Sequence, residues 1–195
     1  MVLFATASFG ASGDWYSPNA NYDPGGWTTC SEAQSSNDAR AQAGATLVDS
    51  FAVLTFNISI TPTDIVDSVD VAVEGFGGSA TTARRVYYIA LSTDGGVSKN
   101  GNWATDTLNQ TTDATSTLAG TSNGQVNRVW GATLTGTTVA ASNFAVMIKK
   151  TINALGATQN IDHVQVRVWW TAGAAVSFTG NRRSKIINMG LTKSQ

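Results

Sequence analysis

Alternation of apolar and polar residues at period two is the dominant pattern in this chain, and it is clearest over residues 161–171. One face of that stretch carries Val164, Val166, Val168 and Trp170, and the other carries His163, Gln165, Arg167 and Trp169. Strict alternation of β-branched and aromatic residues predicts a strand with one face in a core. We therefore expect residues 161–171 to form the central strand of a sheet.

Similar patterns predict further strands along the chain. They fall at residues 54–60, 69–73, 86–91, 126–134 and 144–148, with shorter ones at 2–9, near Trp103 and at 176–179. Residues 61–64 and 93–96 have the composition of turns. Residues 28–45 are ambiguous, and an edge strand followed by a turn at Asn37-Asp38 is the preferred interpretation. The Thr/Ser-rich residues 98–124 are expected to form a long ordered excursion.

The regular spacing of turns indicates an all-β fold, a sandwich or barrel of about eight to ten strands. The chain lacks a stretch with clear helical periodicity, which argues against an α/β fold. The predicted division is one β-sandwich domain over residues 1–179, including an N-terminal arm or strand at 1–13, followed by a tail at 180–195.

The tail is the only basic stretch of a nearly neutral chain, and it also contains large apolar residues. Its candidate interaction residues are Arg182, Arg183, Lys185, Ile186, Ile187, Met189 and Leu191. A frayed terminus is the plain alternative to a docking arm. A disordered tail usually has fewer large apolar residues, so the docking interpretation stays open beside it.

Composition narrows the function classes. Charged residues make up 13% of the chain, against about 25% in typical domains, and the formal net charge is −1. Nucleic-acid binding is not expected, because such domains usually carry a basic excess. Neither a membrane span nor a signal peptide is expected from the apolar runs. A charge-poor surface suits a subunit of an assembly better than a free monomer.

The reactive residues give weak indications of chemistry. Asp162 and His163 are adjacent in a predicted strand, so their side chains should point to opposite faces rather than form a catalytic pair. Cys30 is expected to be a buried small hydrophobe. Asp64, Asp67 and Asp70 lack the spacing of a calcium loop, and the glycines at 75–78 lack the Lys-Ser/Thr of a phosphate loop. The sequence therefore predicts no catalytic residues, no cofactor and no metal site.

Aromatic residues offer two interaction hypotheses. Trp15, Tyr16, Tyr22 and Trp27 lie in one loop, where they could stack on sugar rings or anchor the loop to the core, and anchoring is favoured. Trp169 should face outward beside Arg167, and an outward Trp on a central strand is usually covered by a loop or a neighbouring subunit. Trp169 and Arg167 are therefore the candidates for a subunit contact.

Five motifs follow one another along the chain. They are Trp15 followed by Pro18-Asn19-Ala20, the segment 56–62 ending in Pro62, the alternating strand 65–73, Trp130-Gly131 followed by 133–146, and the closing strand 161–168 with Trp169-Trp170-Thr171. In this order they resemble a β-sandwich domain of tailed-bacteriophage structural proteins. The similarity covers residues 14–171. It departs from the family where an acid and a glycine often precede Trp-Gly and this chain has Asn127, Arg128 and Val129.

The resemblance implies a jelly-roll-like antiparallel β-sandwich with a structural role on the virion. The leading hypothesis is a capsid decoration (cement) protein on the head surface, with itself, as a homotrimer, and the major capsid protein or another virion protein as partners. The alternative is a tail, baseplate or head-fibre component with a glycan- or receptor-binding face, formed by residues 14–27 or 98–124. An enzyme is the least favoured class.

Overall fold

Two antiparallel β-sheets packed face to face form the protein, so the predicted all-β sandwich is confirmed. The computed structural model describes residues 9–11, 14–46, 49–118, 130–151 and 154–173. The front sheet contains β1 (Phe9–Ala11), β3 (Trp27–Thr28), β4 (Ala41–Ala43), β6 (Ile65–Gly77), β9 (Ala114–Leu118) and β11 (Gln159–Thr171). The back sheet contains β2 (Ala20–Tyr22), β5 (Phe51–Leu54), β7 (Val86–Ser92), β8 (Asn100–Thr107) and β10 (Ala145–Lys150).

Short helices connect some of these strands. They are two 3-10 helices, Cys30–Ala33 and Thr82–Arg85, and the α-helix α1, Gly136–Ala140. The side chain of Thr135 caps α1 by accepting a hydrogen bond from the Thr138 N–H at 3.2 Å. A five-residue helix has no room for an apolar stripe, so periodicity could not predict it.

The strand β11 is central, as its pattern predicts. The front sheet has the order β3-β4-β11-β6-β9, and β1 pairs with the other end of β11 on the same side as β4. The back sheet has the order β2-β5-β10-β7-β8. In the core, Val164, Val166 and Val168 of β11 are fully buried and face the back sheet.

The Trp130-Gly131 motif contributes a core side chain rather than a strand. Trp130 is 1% exposed, and its indole N–H donates to the Val69 carbonyl at 2.8 Å. Trp130 and Gly131 have φ of 61° and 72°, which an extended strand does not allow. The predicted strand at 126–134 is therefore wrong over residues 130–134, and its first four residues lie outside the described part of the chain.

The strand predicted at 54–60 ends earlier than expected. β5 ends at Leu54, and Thr55 and Asn57 have positive φ values of 62° and 53°. Phe56 and Ile58 are nevertheless buried, whereas Asn57 and Ser59 are exposed. Side-chain burial thus alternates along a segment whose backbone is not in a sheet. The alternation of apolar and polar residues correctly indicates which side chains are buried, although it does not indicate a strand here.

The expected excursion at 98–124 contains two edge strands. β8 is an edge strand of the back sheet, and β9 is an edge strand of the front sheet. The chain therefore crosses from one sheet to the other after β8 and before β9. Residues 28–45 contain the predicted turn around Asn37-Asp38. The strand in this segment, β4, lies between β3 and β11 rather than at the predicted edge, and the 3-10 helix at Cys30 was not predicted. The turn at 93–96 and the strands β7 and β10 agree with the prediction. The predicted strand at 176–179 and the tail at 180–195 lie outside the described residues.

A glycine in β6 allows the close approach of β11 at a bulge. A Cβ added to Gly75 would lie 2.2 Å from the backbone oxygen of Asn160 and 3.1 Å from the Cα of Ile161. The register between these strands shifts between Ile161 and His163, so the space is set by two backbones rather than by a flexible side chain.

We expect Gly75→Ala to lower the free energy of unfolding by about 1–3 kcal/mol, because the backbone must move to admit a methyl group. Gly44→Ala is the matched control, since a Cβ at Gly44 meets no atom within 4 Å. Urea unfolding of both variants measures the difference. Equal stability of the two variants would contradict the close packing described here.

Candidate functional site

The outward face of β11 presents a row of polar and aromatic side chains. His163, Gln165, Arg167 and Trp169 are each partly exposed, and they alternate with buried residues along the strand. The outward position of Trp169 beside Arg167 was expected from the alternation, and the structure shows both side chains on this face. The face therefore offers a partly exposed surface at the centre of the front sheet.

Arg167 is fixed by an ion pair with Asp70, its cross-strand partner in β6. Its Nε and Nη2 donate to Asp70 Oδ2 at 3.1 and 2.8 Å, and the Trp169 indole N–H donates to the same oxygen at 2.9 Å. Asp70 is 4% exposed, although it lies on the outward side of the sheet. Hydrogen bonds to a carboxylate are among the stronger ones in proteins, so this arrangement is rigid.

Trp15 completes the arrangement from the other side of β11. Tyr16 forms a two-bond antiparallel bridge with Val166, through N···O contacts of 2.8 and 3.0 Å. This bridge places the Trp15 ring 4.6 Å from the Arg167 guanidinium carbon, and the Trp169 ring lies 4.9 Å from the same atom. We call Trp15, Asp70, Arg167 and Trp169 the Arg167 cluster. Stacking of a cation between two indoles adds to its stability.

The other residues of the predicted aromatic loop lie elsewhere. Tyr16 packs against the core, and Trp27 is 4% exposed with its ring 4.6 Å from that of Phe51. The Trp27 indole N–H donates to the Asp49 carbonyl at 2.8 Å. Tyr22 is 39% exposed on β2, the edge strand of the back sheet. The structure thus brings only Trp15 of the loop to Arg167 and Trp169, and it shows core anchoring for Tyr16 and Trp27.

Ser17 forms a contact with His163 that the sequence did not indicate. The Oγ of Ser17 lies 3.0 Å from Nε2 of His163, and Gln165 Nε2 donates to this Oγ at 3.4 Å. Burial lowers the pKa of His163, with partial compensation from Glu74 and Asp162, so the imidazole is neutral at pH 7. Pro18 follows Ser17 and has no N–H to donate to an oxyanion. The contact anchors the loop to the sheet.

Asp162 does not orient His163. It is the extra residue at the β11 bulge, it is 1% exposed, and its carboxylate accepts a hydrogen bond from the Asn37 N–H at 3.4 Å. The expected separation of the two side chains agrees with this geometry, although the bulge, rather than plain alternation, produces it.

Three carboxylates that are distant in sequence meet at this bulge. One oxygen from each of Asp38, Asp113 and Asp162 lies within 4.8 Å of the others. Arg40 spans the group: its Nε donates to Asp113 at 3.1 Å, and its Nη2 donates to both Asp113 and Asp38. Burial raises the pKa of Asp162. Because the guanidinium already neutralises part of this charge, the group is interpreted as an ion-pair network that runs from the buried Asp162 to the exposed Asp38.

Asp64, Asp67 and Asp70 each accept hydrogen bonds from a different partner, namely Gly173 N–H, Thr171 Oγ1 and Arg167. Burial raises the pKa of the Cys30 thiol to about 12, with further contributions from Asp23, so the thiol stays protonated. The seven candidate residues of the tail lie outside the described residues.

Comparison with known proteins identifies no family for this chain. The chain matches no protein-family model, no curated protein and no solved structure. Within the described residues, no helix is long and apolar enough to span a bilayer.

We expect Arg167→Met to lower the free energy of unfolding by about 3 kcal/mol, because it removes the guanidinium that forms an ion pair with the buried Asp70 carboxylate. Methionine keeps much of the side-chain volume, so lost packing contributes little to the change. The double variant Asp70→Asn/Arg167→Met also removes the buried carboxylate charge and should recover part of the loss. Urea unfolding of the single and double variants measures this, and an additive double variant would argue against the coupling.

Proposed function

We propose that the protein is a structural subunit of a tailed-bacteriophage virion, a capsid decoration protein that assembles with itself on the head. The motif order of residues 14–171 supports this proposal. So does the low share of charged residues, 13%, which suits a surface that is covered in an assembly.

The strand order is the observation that carries the proposal. The eight strands β4 to β11 form the orders β4-β11-β6-β9 and β5-β10-β7-β8, so the first strand lies beside the last and the second beside the last but one. This nesting supports assignment as a jelly roll, an architecture of two Greek keys that recurs in viral capsid and lectin domains. Fold alone does not determine function, so the sequence motifs and the surface must support the same conclusion.

The Arg167 cluster supports a self-association surface on the front sheet. Trp and Arg are the residue types that most often dominate the binding energy of interfaces. Here the guanidinium is held by Asp70 and by two indole rings, so little side-chain entropy is left to lose on binding. A second copy of the chain is the proposed occupant, and a trimer is the proposed state.

The cluster predicts a difference between two tryptophan variants. Trp169→Ala should weaken self-association about tenfold or more, since a central Trp in an interface often contributes about 2 kcal/mol. Trp103→Ala is the matched control, because Trp103 is partly exposed on the outer side of the back sheet, where its ring lies 6.0 Å from Tyr88.

Analytical ultracentrifugation would measure both variants and the unaltered chain, with circular dichroism as the check of folding. The mass measured for the unaltered protein should be three times the 20.3 kDa mass of one chain. A monomeric unaltered protein, or equal weakening by both variants, would refute the front-sheet interface.

Antibody labelling of intact phage particles that encode this chain tests the virion role. We expect label over the whole head, at many copies per particle. Label confined to the tail or to one vertex would instead support the second candidate, a receptor- or glycan-binding component. Particles that carry no label would contradict both virion hypotheses.

The second candidate is favoured by one observation. Residues 107–109 and 114–116, which belong to one of the two segments expected to face a glycan, line a cleft together with Arg85.

A further inference from the structure

Four strands lie at the ends of the two sheet orders, and three of them are protected against pairing with another chain. β2 and β3 have only three and two residues. β8 is longer, but its pairing with β7 contains a bulge, its Asp106 points inward to Tyr87, and its Asn102 N–H donates to the Trp130 carbonyl at 2.8 Å. Short length, bulges, inward charges and covering segments are the usual protection of edge strands.

β9 has none of these forms of protection. Its five residues, Ala114–Leu118, include neither a charged residue nor a proline, and its pairing with β6 continues without a register shift. Thr115 and Thr117 are exposed. An unprotected edge of this kind is where an extended segment of another chain can add a strand to a sheet.

The backbone of Thr115 and Thr117 faces the open side of β9. In an antiparallel strand, hydrogen-bonded and non-hydrogen-bonded pairs alternate, so each residue bonds to the neighbour on one side only. The Gly77 N–H of β6 donates at 2.8 Å to the Asn109 carbonyl, in the connection between β8 and β9, rather than to β11. By alternation, the odd-numbered residues 71–75 bond to the even-numbered residues of β9. Thr115 and Thr117 therefore present their N–H and C=O groups outward, and no described residue bonds to them.

Residues 2–8, which we call the arm, have the composition of a strand that fits this edge. They lie outside the described residues and directly precede β1. They contain no charged residue, proline or glycine, and Val2, Phe4 and Thr6 are types that favour strands. The basic tail at 180–195 fits less well, because Arg85 borders the start of β9 and forms no ion pair with a described residue.

The arm is too short to pair with β9 of its own chain. β1 pairs with the Thr171 end of β11, opposite Ile65 of β6, whereas β9 pairs with residues 71–75 of β6. From Phe9 to the near end of β9, six residues along the strands and three strand spacings across them amount to about 25 Å, and pairing along β9 needs about 17 Å more. Eight extended residues span about 26–29 Å. A second copy must therefore supply the arm.

We propose that the arm of one chain adds a strand to β9 of a second copy, through the backbone groups of Thr115 and Thr117. The arm and β9 are different surfaces, so the contact is heterologous and three copies can close a ring in which each β9 is covered. The proposal requires neither the virion role nor the Arg167 cluster, and it is compatible with a trimer that also uses that cluster.

Cross-linking between co-expressed full-length variants tests the contact. Chains with Ala5→Cys or Thr6→Cys are combined with chains that carry Thr117→Cys and treated with a short bis-maleimide. Two arm positions are used because neighbouring residues of a strand face opposite sides. We expect covalent dimers with at least one arm variant. Thr105→Cys, at an exposed threonine of the protected edge β8, is the matched control and should give about a tenth of the product or less. The native Cys30 is buried.

A proline variant measures the contribution of the backbone. Thr117→Pro removes an outward N–H and keeps the hydrogen bonds from β9 to β6, so it should weaken self-association about tenfold. Thr117→Ala is the matched control, because it keeps the N–H, and it should change the affinity less than about twofold. Analytical ultracentrifugation of the full-length variants measures both, with circular dichroism as the check of folding.

The proposal is overturned if neither arm variant cross-links to Thr117→Cys, or if Thr105→Cys cross-links equally well. Covalent dimers of Thr117→Cys chains alone would show β9 paired with β9 and would also overturn it, as would equal affinities of the proline and alanine variants. Should Thr117→Pro not fold, the cross-linking decides the question. Trp169 takes no part in these experiments, so a failed arm contact leaves the front-sheet interface to the test of its own variants.

Discussion

The antiparallel pairing of β11 with β6 is the interaction on which the rest of the structure depends. Both strands are 13 residues long, and they remain paired from Gln159 to Thr171. One side of the pair supplies the valines of the core, and the other holds Arg167 against Asp70. Because side chains alternate at period two, a slip of β11 by one residue would turn its valines outward and Arg167 into the core, away from Asp70.

The pairing is interrupted twice, and each interruption releases an aspartate from the ladder. Asp162 is the extra residue on β11, and Asp67 is the extra residue on β6. Asp162 turns to the Asn37 N–H, and Asp67 accepts from the Thr171 hydroxyl at 2.8 Å. The bulges therefore tie the long pair to the turn around Asn37 at one end and fasten the two strands to each other at the other end.

The sequence predicts the fold correctly where the burial of side chains and the extended backbone both follow the period of two residues. The orientation of β11, including the outward Trp169, follows from alternation alone. The prediction fails at Phe56 and Ile58, which are buried from a non-sheet backbone, and in β9, whose edge position tolerates Thr and Ser on both faces. The approach of Trp15 to Arg167 could not be predicted, since it requires the bridge between Tyr16 and Val166, residues far apart in the chain.

The position of β11 also determines the order in which the fold can form during synthesis. β11 is the last described strand to be made, yet it lies between β4 and β6, which precede it by about a hundred residues. Until residue 171 has left the ribosome, β6 lacks its longest pairing partner, and the strands on the two sides of β11 cannot join into one front sheet. Contacts of such sequence separation are slow to form, so the front sheet and its side of the core can be completed only once β11 has been made.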